Sequence, residues 1–234
     1  MANSSPALTV RRNFPRPSVE LLQRLREAPT GWIVDANGRR GALDYRIRPI
    51  TRAMRFCGVA LTVHTRPRDN LAPYAAIQYA QPGDVMVVAA DAYEEASVVG
   101  DILVGMARNQ GVAALVTDGM VRDVDGLNAV GIPVFARGLS PNSPYKDGPG
   151  TIGLPITIGG VTVEAGDIIA GDQDGIVVVS RAMAESVVSA LDEVRLKEHQ
   201  MEQLVAQGAK LPPGMDTLIA EKGVRYLFGR VIGR

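Results

Sequence analysis

Short apolar runs alternate along the chain with longer stretches in which apolar residues recur at helical spacing. The apolar runs predict strands at residues 58–64, 84–89, 112–117, 132–135, 156–163 and 176–179. Runs this apolar are typical of strands covered on both faces. Helices are predicted at residues 71–80, 100–110, 123–130 and 181–207, and from an N-cap at Ser18 to about Glu27. The alternation predicts an α/β layered fold with an antiparallel β-rich part near residues 150–180.

The two ends of the chain lack this alternation. Residues 1–17 combine prolines with small polar residues and show no periodicity, so they are predicted to form a flexible N-terminal arm. Residues 18–207 are predicted to form a single α/β domain. Pro212 and Pro213 break the helical pattern. Residues 208–234 are therefore predicted to be a C-terminal tail with a short helix at 215–222.

The composition, with 46% apolar and 21% charged residues, is that of a soluble globular protein. Basic and acidic residues both total 25, and this balance argues against a nucleic-acid or anionic-membrane partner. Cys57 is the only cysteine, which fits a reducing cytosol. No apolar signal-peptide core follows the N-terminal arginines, and no apolar run reaches the ~20 residues of a membrane span. We expect a cytoplasmic protein.

A candidate site lies where polar residues follow predicted strands. Gly100 begins a predicted helix, whose free backbone N–H groups and dipole favour a small carboxylate. The strand at 112–117 leads to Arg122 and Asp123, at a point where α/β proteins usually place ligands. Arginine can hold a carboxylate through two hydrogen bonds, and aspartate can hold a hard cation. With Asp101, these residues predict a site at the ends of consecutive strand–helix units.

Each of these residues also has an ordinary structural interpretation. Asp123 is suited to cap the helix that follows it. Arg122 is suited to a surface ion pair, and Asp101 to a favourable interaction with the dipole of its own helix. The convergence of two carboxylates and an arginine favours a functional site over these alternatives.

Other chemistries lack the residues that they need. A Schiff-base aldolase needs a desolvated lysine, but the lysines lie in loop-like or polar helical segments: Lys146, Lys197, Lys210 and Lys222. His64 and His199 lack zinc-ligand spacing, and no G-x-S-x-G motif is present. Residues 148–153 match G-x-G-x-x-G but precede a β-like segment, so they are not a dinucleotide-binding loop. After these exclusions, the chemistry that the sequence still supports is a magnesium-type site with oxygen ligands beside an arginine.

The spacing of the candidate residues also matches a known pattern. Asp101, the twenty residues 102–121 and then Arg122-Asp123 fit a D-x20-R-D signature, and Asp118-Gly119 lies within the twenty-residue interval. With this signature and its glycine context, roughly residues 30–180 resemble the class II pyruvate aldolases that are similar to the RraA regulator of RNase E. These include 4-hydroxy-4-methyl-2-oxoglutarate aldolase and 4-carboxy-4-hydroxy-2-oxoadipate aldolase, which also decarboxylate oxaloacetate.

The resemblance implies a swivelling β/β/α layered domain with C-terminal helices. It implies that Asp123 carries Mg²⁺ (or Mn²⁺), that Arg122 grips the substrate and that Asp101 orders metal-bound water. The amides of Ile102 and Leu103 would receive the pyruvyl carboxylate. The chain is then a lyase that forms pyruvate through an enolate.

The resemblance further implies a homotrimer or homohexamer with active sites between subunits. Asp35 and Glu198 are the candidates for carboxylates that a neighbouring subunit supplies. Relatives commonly carry glutamate where Asp35 stands, and Glu198 is equally suited to a solvated helix face. Asp172 and Asp174 are predicted to shape a turn before the strand at 176–179.

Two questions stay open from the sequence. The loop at 140–150 is either a specificity lid, with Lys146 reaching a distal carboxylate, or an ordinary surface loop. A non-catalytic regulator of the RraA type, and a lyase or tautomerase acting on another oxo acid, are the alternative functions. The D-x20-R-D residues favour an enzyme, because a protein-binding surface does not need a metal-binding group.

Overall fold

The computed structural model describes residues 6–227. Its helices are α1 Val19–Arg26, α2 Thr30–Ala36, α3 Leu71–Ala76, α4 Asp101–Asn109, α5 Val124–Val130, α6 Ala184–Ala206 and α7 Met215–Lys222, with a 3₁₀ turn at Ile77–Tyr79 after α3. The strands are β1 Leu8–Val10, β2 Arg48–Pro49, β3 Phe56–Thr65, β4 Asp84–Ala89, β5 Ser97–Val99, β6 Ala114–Thr117, β7 Met120–Val121, β8 Val134–Ala136, β9 Gly138–Leu139, β10 Gly150–Ile152, β11 Ile156–Ile158, β12 Val161–Val163, β13 Ile168–Asp172 and β14 Gly175–Val179.

The main sheet is built around four parallel strands in the order β3, β4, β6, β8. Helix α3 connects the first pair, α4 the second and α5 the third. Parallel neighbours need such crossover connections, and these place the helices on a face of the sheet. On the other side of β3, the antiparallel strands β10 and β13 pair with its two halves.

Alternating residues of the parallel strands divide the interior into two cores. Leu61 of β3 and Met86 of β4 face α3, α4 and α5. Val85 and Val87 face the opposite way, toward the β11–β12 hairpin. Successive side chains of a strand point to opposite faces, so each strand contributes to both cores. Helices, main sheet and hairpin form the β/β/α layers that were predicted.

A third core lies between the β13–β14 hairpin and the helices α1, α2 and the start of α6. Leu25, Ile33 and Leu191 are among its fully buried helical members. Ser18 caps α1 as predicted, because the Leu21 amide donates to its Oγ (3.3 Å). Asp172 accepts hydrogen bonds from the amide and hydroxyl of Thr30 (2.8 and 2.7 Å). Asp172 therefore has a structural role at the start of α2.

The N-terminal segment is more ordered than its sequence predicted. Strand β1 pairs in parallel with β10, and Arg16 forms a two-pronged ion pair with the buried carboxylate of Asp84 (2.5 and 3.0 Å). The expectation of an arm without regular structure is wrong for residues 8–10. The strand is stabilised by partners more than a hundred residues away, which local periodicity cannot reveal. Residues 1–5 of the arm lie outside the described part of the chain.

The chain divides into two compact units after Leu191, within α6. The sequence pattern predicted that the C-terminal tail begins later, at residue 208. The described part of the second unit contains the remainder of α6 and α7, the latter within the range predicted for it. Residues 228–234 of the tail lie outside the described range. Across residues 6–227, no helix is both long and apolar enough to cross a membrane.

Candidate functional site

A small sheet of three parallel strands positions the candidate residues. Its order is β5, β7, β9, and Val121 pairs with both Val99 and Leu139. Each strand follows one strand of the main sheet: β5 follows β4, β7 follows β6, and β9 follows β8. The carboxyl ends of the three strands therefore lie side by side. After β5 the chain continues into Gly100 and α4. After β7 it continues into Arg122 and Asp123, and after β9 into the loop at 140–150.

These three connections enclose a cleft of about 120 Å³. Seven of the predicted residues line it: Gly100, Asp101, Ile102, Leu103, Arg122, Asp123 and Lys146. Six further residues line it: Asn70, Tyr74, Ser97, Val99, Ser143 and Pro144. Of these, Ser143 and Pro144 lie in the loop at 140–150 that the sequence offered as a specificity lid. Asn70 and Tyr74 come from the start of α3, and no motif in the sequence marked them. The structure thus brings the predicted residues together, while their roles stay predictions.

The start of α4 forms one wall of the cleft. Gly100 is its N-cap in an extended conformation, and the first intrahelical bond is from the Val104 amide to the Gly100 carbonyl (3.2 Å). Residues 101–103 come before Val104, the first donor within the helix, so their amides have no acceptor within the helix. Free amides at a helix start carry positive potential. This end of α4 is suited to a small carboxylate.

Asp123 adopts a left-handed backbone at the start of α5, with φ 62° and ψ 50°. Such a conformation is uncommon for a residue other than glycine and costs on the order of 1 kcal/mol. Asp123 stands at the N-cap position, but its side chain makes no capping hydrogen bond. Its Oδ2 instead lies 3.2 Å from Nε of Arg122, and the side chain is 44% exposed. Asp123 is thus the N-cap residue of α5 by position, as the structural interpretation expected, but its side chain does not cap the helix.

Arg122 joins two walls of the cleft. Its Nη1 donates to Oγ of Ser143 in the loop (2.6 Å), and its Nε faces Asp123. A guanidinium has five N–H groups in a fixed plane, and these two contacts use two of them. Arg122 is partly buried rather than free on the surface. It can therefore present its remaining N–H groups to a ligand without losing its position.

Two glycines provide the space that the acidic residues occupy. A Cβ on Gly100 would lie 2.5 Å from Oδ2 of Asp123 and 3.2 Å from Cγ of Arg122. A Cβ on Gly126 of α5 would lie 2.7 Å from Cβ of Asp101, and closer still to its carboxylate. Real Cβ atoms are essentially never this close to another atom. Both carboxylates therefore depend on glycine at the facing position.

The loop at 140–150 is an anchored wall of the cleft. The Ser97 amide and hydroxyl both donate to the Asn142 carbonyl (3.0 and 2.7 Å). Buried Asp69 accepts hydrogen bonds from the amides of Asp147 and Gly148 (2.7 and 3.1 Å). Lys146 projects beside Tyr74, with Nζ 5.5 Å from the ring centroid. A lysine held in this way can contact a ligand from the loop side.

Asp35 and Glu198 are placed differently from the other candidates. Asp35 is exposed on α2, 3.9 Å from Nε of Arg39, and does not line the cleft. Glu198 is half-buried on the part of α6 that belongs to the second unit. The roles predicted for both require a second subunit.

The donor set of the cleft fits a magnesium-type cation. Among the described residues, no cluster of three or more His, Cys, Asp or Glu side chains could hold a metal. Mg²⁺ often takes only one or two protein carboxylates and keeps several waters. Asp123 offers a carboxylate that is 44% exposed, and the absence of a side chain on Gly100 leaves the room that this carboxylate occupies. Zinc would need more nitrogen or sulfur ligands.

Burial shifts the pKa of two ionisable groups outside the cleft, Cys57 and Asp118. Burial raises the pKa of the Cys57 thiol to about 12, which argues against a reactive thiolate. Burial also raises the pKa of Asp118, although its carboxylate accepts hydrogen bonds from the amides of Ala90 and Ala92 (2.7 and 3.2 Å). Asp118 thereby holds the turn after β4 in place, which is a structural role.

In comparison with known proteins, residues 30–178 match a protein-family model described as RraA-like, Aldolase/RraA. A protein of Halalkalibacterium halodurans is provisionally named a 4-hydroxy-4-methyl-2-oxoglutarate aldolase. It is 33% identical to the chain over 188 residues. These residues are 80% of this chain and 90% of that protein.

Solved structures have a similar fold. One is Streptomyces coelicolor RraAS2, described as an unusual member of the RNase ES inhibitor RraA protein family. It has a TM-score of 0.72 and 29% identity, covering 81% of this chain and 99% of that one. Another is the RNA-processing inhibitor RraA from Thermus thermophilis, with a TM-score of 0.61 and 27% identity, covering 65% of this chain and 93% of that one.

Proposed function

Since the chain belongs to the RraA-like family described as Aldolase/RraA, we propose that it is a divalent-metal-dependent carbon–carbon lyase. It cleaves a 4-hydroxy-2-oxo acid to pyruvate and a second oxo acid, decarboxylates oxaloacetate, or does both. This proposal rests mainly on one observation: Arg122, Asp123 and Asp101 line the same cleft as the free amides of α4. The name of the Halalkalibacterium halodurans relative supports the same reaction.

The substrate binds through its 2-oxo acid end. Its carboxylate accepts hydrogen bonds from the amides of Ile102 and Leu103, where the helix dipole favours an anion. Arg122 grips the carbonyl and carboxylate oxygens. Its planar group can make two parallel hydrogen bonds, which fix the orientation as well as the position of the substrate. Lys146 binds a second carboxylate, if the substrate has one, from the loop side.

Asp123 would hold Mg²⁺ (or Mn²⁺), and Asp101 would orient water in the cleft. When bound, the cation supplies positive charge near the substrate oxygens, which favours a reaction that develops negative charge there. The left-handed backbone of Asp123 supports this role, because strained residues other than glycine cluster at functional sites.

The reaction proceeds by breaking the C3–C4 bond. A base, either water oriented by Asp101 or a carboxylate from a neighbouring subunit, removes the proton of the 4-hydroxyl. As C4 becomes a carbonyl carbon, the electron pair of the C3–C4 bond passes to C3 and delocalises to the C2 oxygen. Arg122 faces that oxygen and stabilises the enolate charge. Protonation at C3 then gives pyruvate. Loss of CO₂ from oxaloacetate leaves the same enolate.

The proposal includes a homotrimer or homohexamer with shared sites. Asp35 and Glu198 complete the site of a neighbouring subunit. Exposed apolar side chains support a protein contact here, since Ile102 is 63% exposed and Leu139 is 54% exposed. Ile102 lines the cleft, and Leu139 precedes its loop wall. Apolar groups grouped around a site are commonly covered by a partner.

A non-catalytic regulator is the second candidate, because both solved structures above are described as inhibitors of the RraA type. A lyase or tautomerase acting on another oxo acid is the third. Pyruvate release distinguishes the candidates. Purified protein with MgCl₂ is given oxaloacetate and a panel of 4-hydroxy-2-oxo acids, and pyruvate is measured with lactate dehydrogenase. Release above the uncatalysed rate supports the proposal. No release from any acid of the panel refutes it, and binding of a nuclease with inhibition then favours the regulator.

A further inference from the structure

The segment around Lys146 is fastened to the connection between β3 and α3. The Tyr145 amide donates to the carbonyl of Arg68 (2.8 Å), and the Tyr145 carbonyl accepts from the amide of Asn70 (3.0 Å). These backbone bonds fix the residue immediately before the lysine. Asp69, which lies between the two partners in the chain, contacts the loop through its side chain.

The Asp69 carboxylate fixes the residues that follow Lys146. It is fully buried, and its Oδ2 accepts hydrogen bonds from the amides of Asp147 (2.7 Å) and Gly148 (3.1 Å). Its Oδ1 accepts from the Leu71 amide at the start of α3 (2.9 Å). Hydrogen bonds to an ionised acceptor are roughly twice as strong as those between neutral groups. One carboxylate therefore joins the loop wall of the cleft firmly to the α3 wall.

The first half of the loop has a separate anchor, at the start of β5. There the carbonyl of Asn142 accepts hydrogen bonds from the amide and the hydroxyl of Ser97 (3.0 and 2.7 Å). Ser143, the loop residue that accepts from Arg122, follows this anchor directly. The bonds that position the arginine are therefore distinct from the bonds that surround the lysine.

We infer that Asp69 is a positioning residue that acts through Lys146 and gives this site a preference for 2-oxo acids with a second carboxylate. The inference rests on the proposed function, in which Arg122 and the α4 amides bind the 2-oxo acid end. With that end fixed, a lysine held in one place selects the charge at the other end. Ordering a loose loop would weaken binding, and the buried carboxylate orders this loop before the ligand arrives. The role requires no contact between Asp69 and the ligand.

Two ligands of equal chain length isolate the effect of the second carboxylate. 2-Oxoglutarate has this group, 2-oxopentanoate ends in a methyl group, and neither has the 4-hydroxyl group that cleavage requires. Calorimetric titration in the presence of MgCl₂ measures the Kd of each without turnover. The wild type should bind 2-oxoglutarate roughly 10- to 100-fold more tightly, as expected for a hydrogen bond between charged groups.

Asp69→Asn tests the positioning. Asparagine is of the same size but has one oxygen instead of two, so it cannot accept from both the loop amides and the Leu71 amide. The preference for 2-oxoglutarate should fall roughly 10-fold, because a small displacement of a binding group is costly. The Kd of 2-oxopentanoate should stay near the wild-type value, since Arg122 has its own anchor. An unchanged preference, or equal losses of affinity for the two ligands, would overturn the inference.

A double-mutant cycle separates this role from a general structural one. Lys146→Met removes the charge and should itself abolish the preference for 2-oxoglutarate. If Asp69 acts through the lysine, adding Asp69→Asn to Lys146→Met should leave the ratio of the two Kd values unchanged. A further change in that ratio would contradict the inference. Asp216→Asn, at an exposed aspartate of α7, is the control and should leave both Kd values at the wild-type level.

Arg66→Gln replaces the test variant if Asp69→Asn does not fold. Arg66 is 43% exposed, and its Nη2 lies 3.6 Å from Oδ2 of Asp69 and 3.2 Å from Oδ2 of Asp147. Its loss weakens the same junction from the surface. The preference for 2-oxoglutarate should then fall roughly two- to fivefold, as expected for a partly exposed ion pair. An unchanged preference in this variant would overturn the inference.

Failure of the proposed function gives a different pattern. The lyase is refuted if no acid of the panel releases pyruvate. Tighter binding of 2-oxoglutarate by the wild type, weakened in Asp69→Asn, would then still support the role of Asp69. Equal Kd values for the two ligands in the wild type, or no binding of either, would overturn that role whether or not pyruvate is released.

Discussion

A Cβ atom on Gly100 would lie 2.5 Å from Oδ2 of Asp123. The two residues belong to successive strand–helix connections, one after β5 and one after β7. Their contact places the free amides of α4 directly beside the carboxylate at the start of α5. The groups proposed to bind an anion and a cation thus lie within reach of one small molecule.

This relationship predicts the effect of Gly100→Ala. The added methyl group should displace Asp123 and Arg122 and lower kcat/KM on the order of 10²-fold, because small displacements of reacting groups are costly. Gly105→Ala in the same helix is the matched control. Its Cβ would meet only Cγ2 of Val130 at 3.7 Å, an ordinary contact. It should keep full activity and gain roughly 0.5–1 kcal/mol in free energy of unfolding. Similar activities of the two variants would contradict the account of Gly100.

Arg122→Lys should be nearly as damaging as Arg122→Ala. Lysine cannot reproduce a planar two-pronged grip, and loss of one such charge partner typically lowers the rate on the order of 10²–10³-fold. Steady-state kinetics with pyruvate detection measures the effect. Arg108→Lys, an exposed change near the end of α4, serves as control. Wild-type kcat/KM in Arg122→Lys would show that this arginine only holds Ser143.

Asp123→Asn should abolish tight Mg²⁺ binding while the fold stays intact. Asparagine tolerates a left-handed backbone, and the side chain of Asp123 caps no helix. The free energy of unfolding in the absence of metal should therefore change by no more than about 0.5 kcal/mol. Calorimetric titration with MgCl₂ and thermal unfolding test the two statements separately. A collapse of Tm would mean that Asp123 is a structural residue.

Much of the fold follows from the sequence, because long strands and helices carry their own pattern. The apolar run at 58–64 lies within β3, and the cap at Ser18 lies where the helix signal placed it. The cleft was predictable in outline, because Arg122 and Asp123 follow a buried strand. Strong local signals thus identified both the layers and the principal charged residues.

The remaining features depend on contacts between distant segments. Strands β5, β7 and β9 have two or three residues each, too few to show periodicity, yet they bring the cleft walls together. Asp69 was missed because its distinguishing property, a buried carboxylate that accepts from loop amides 78 and 79 residues away, exists only in the folded chain. The left-handed backbone of Asp123 was equally invisible, since asparagine and aspartate occur there and at ordinary caps.

Subunit mixing tests whether the site is shared. Asp123→Asn and Asp35→Ala should each be inactive alone, and activity should partly return after their subunits exchange. Mixed interfaces would combine an intact metal side with an intact partner side. A mixture of Asp123→Asn with Arg122→Ala, which damage the same side, should stay inactive. Exchange confirmed by mass spectrometry without recovered activity would contradict the assignment of Asp35 to a neighbouring site.

In the proposed mechanism, a divalent cation and an arginine, rather than a lysine, support carbon–carbon cleavage. The most direct measurement is pyruvate release from 4-hydroxy-4-methyl-2-oxoglutarate by EDTA-treated protein, before and after MgCl₂ or MnCl₂ is restored. We predict that activity disappears with EDTA and returns with either cation. We also predict that borohydride with pyruvate leaves the protein active. Undiminished release without any divalent cation, or covalent trapping of pyruvate at a lysine, would contradict the account.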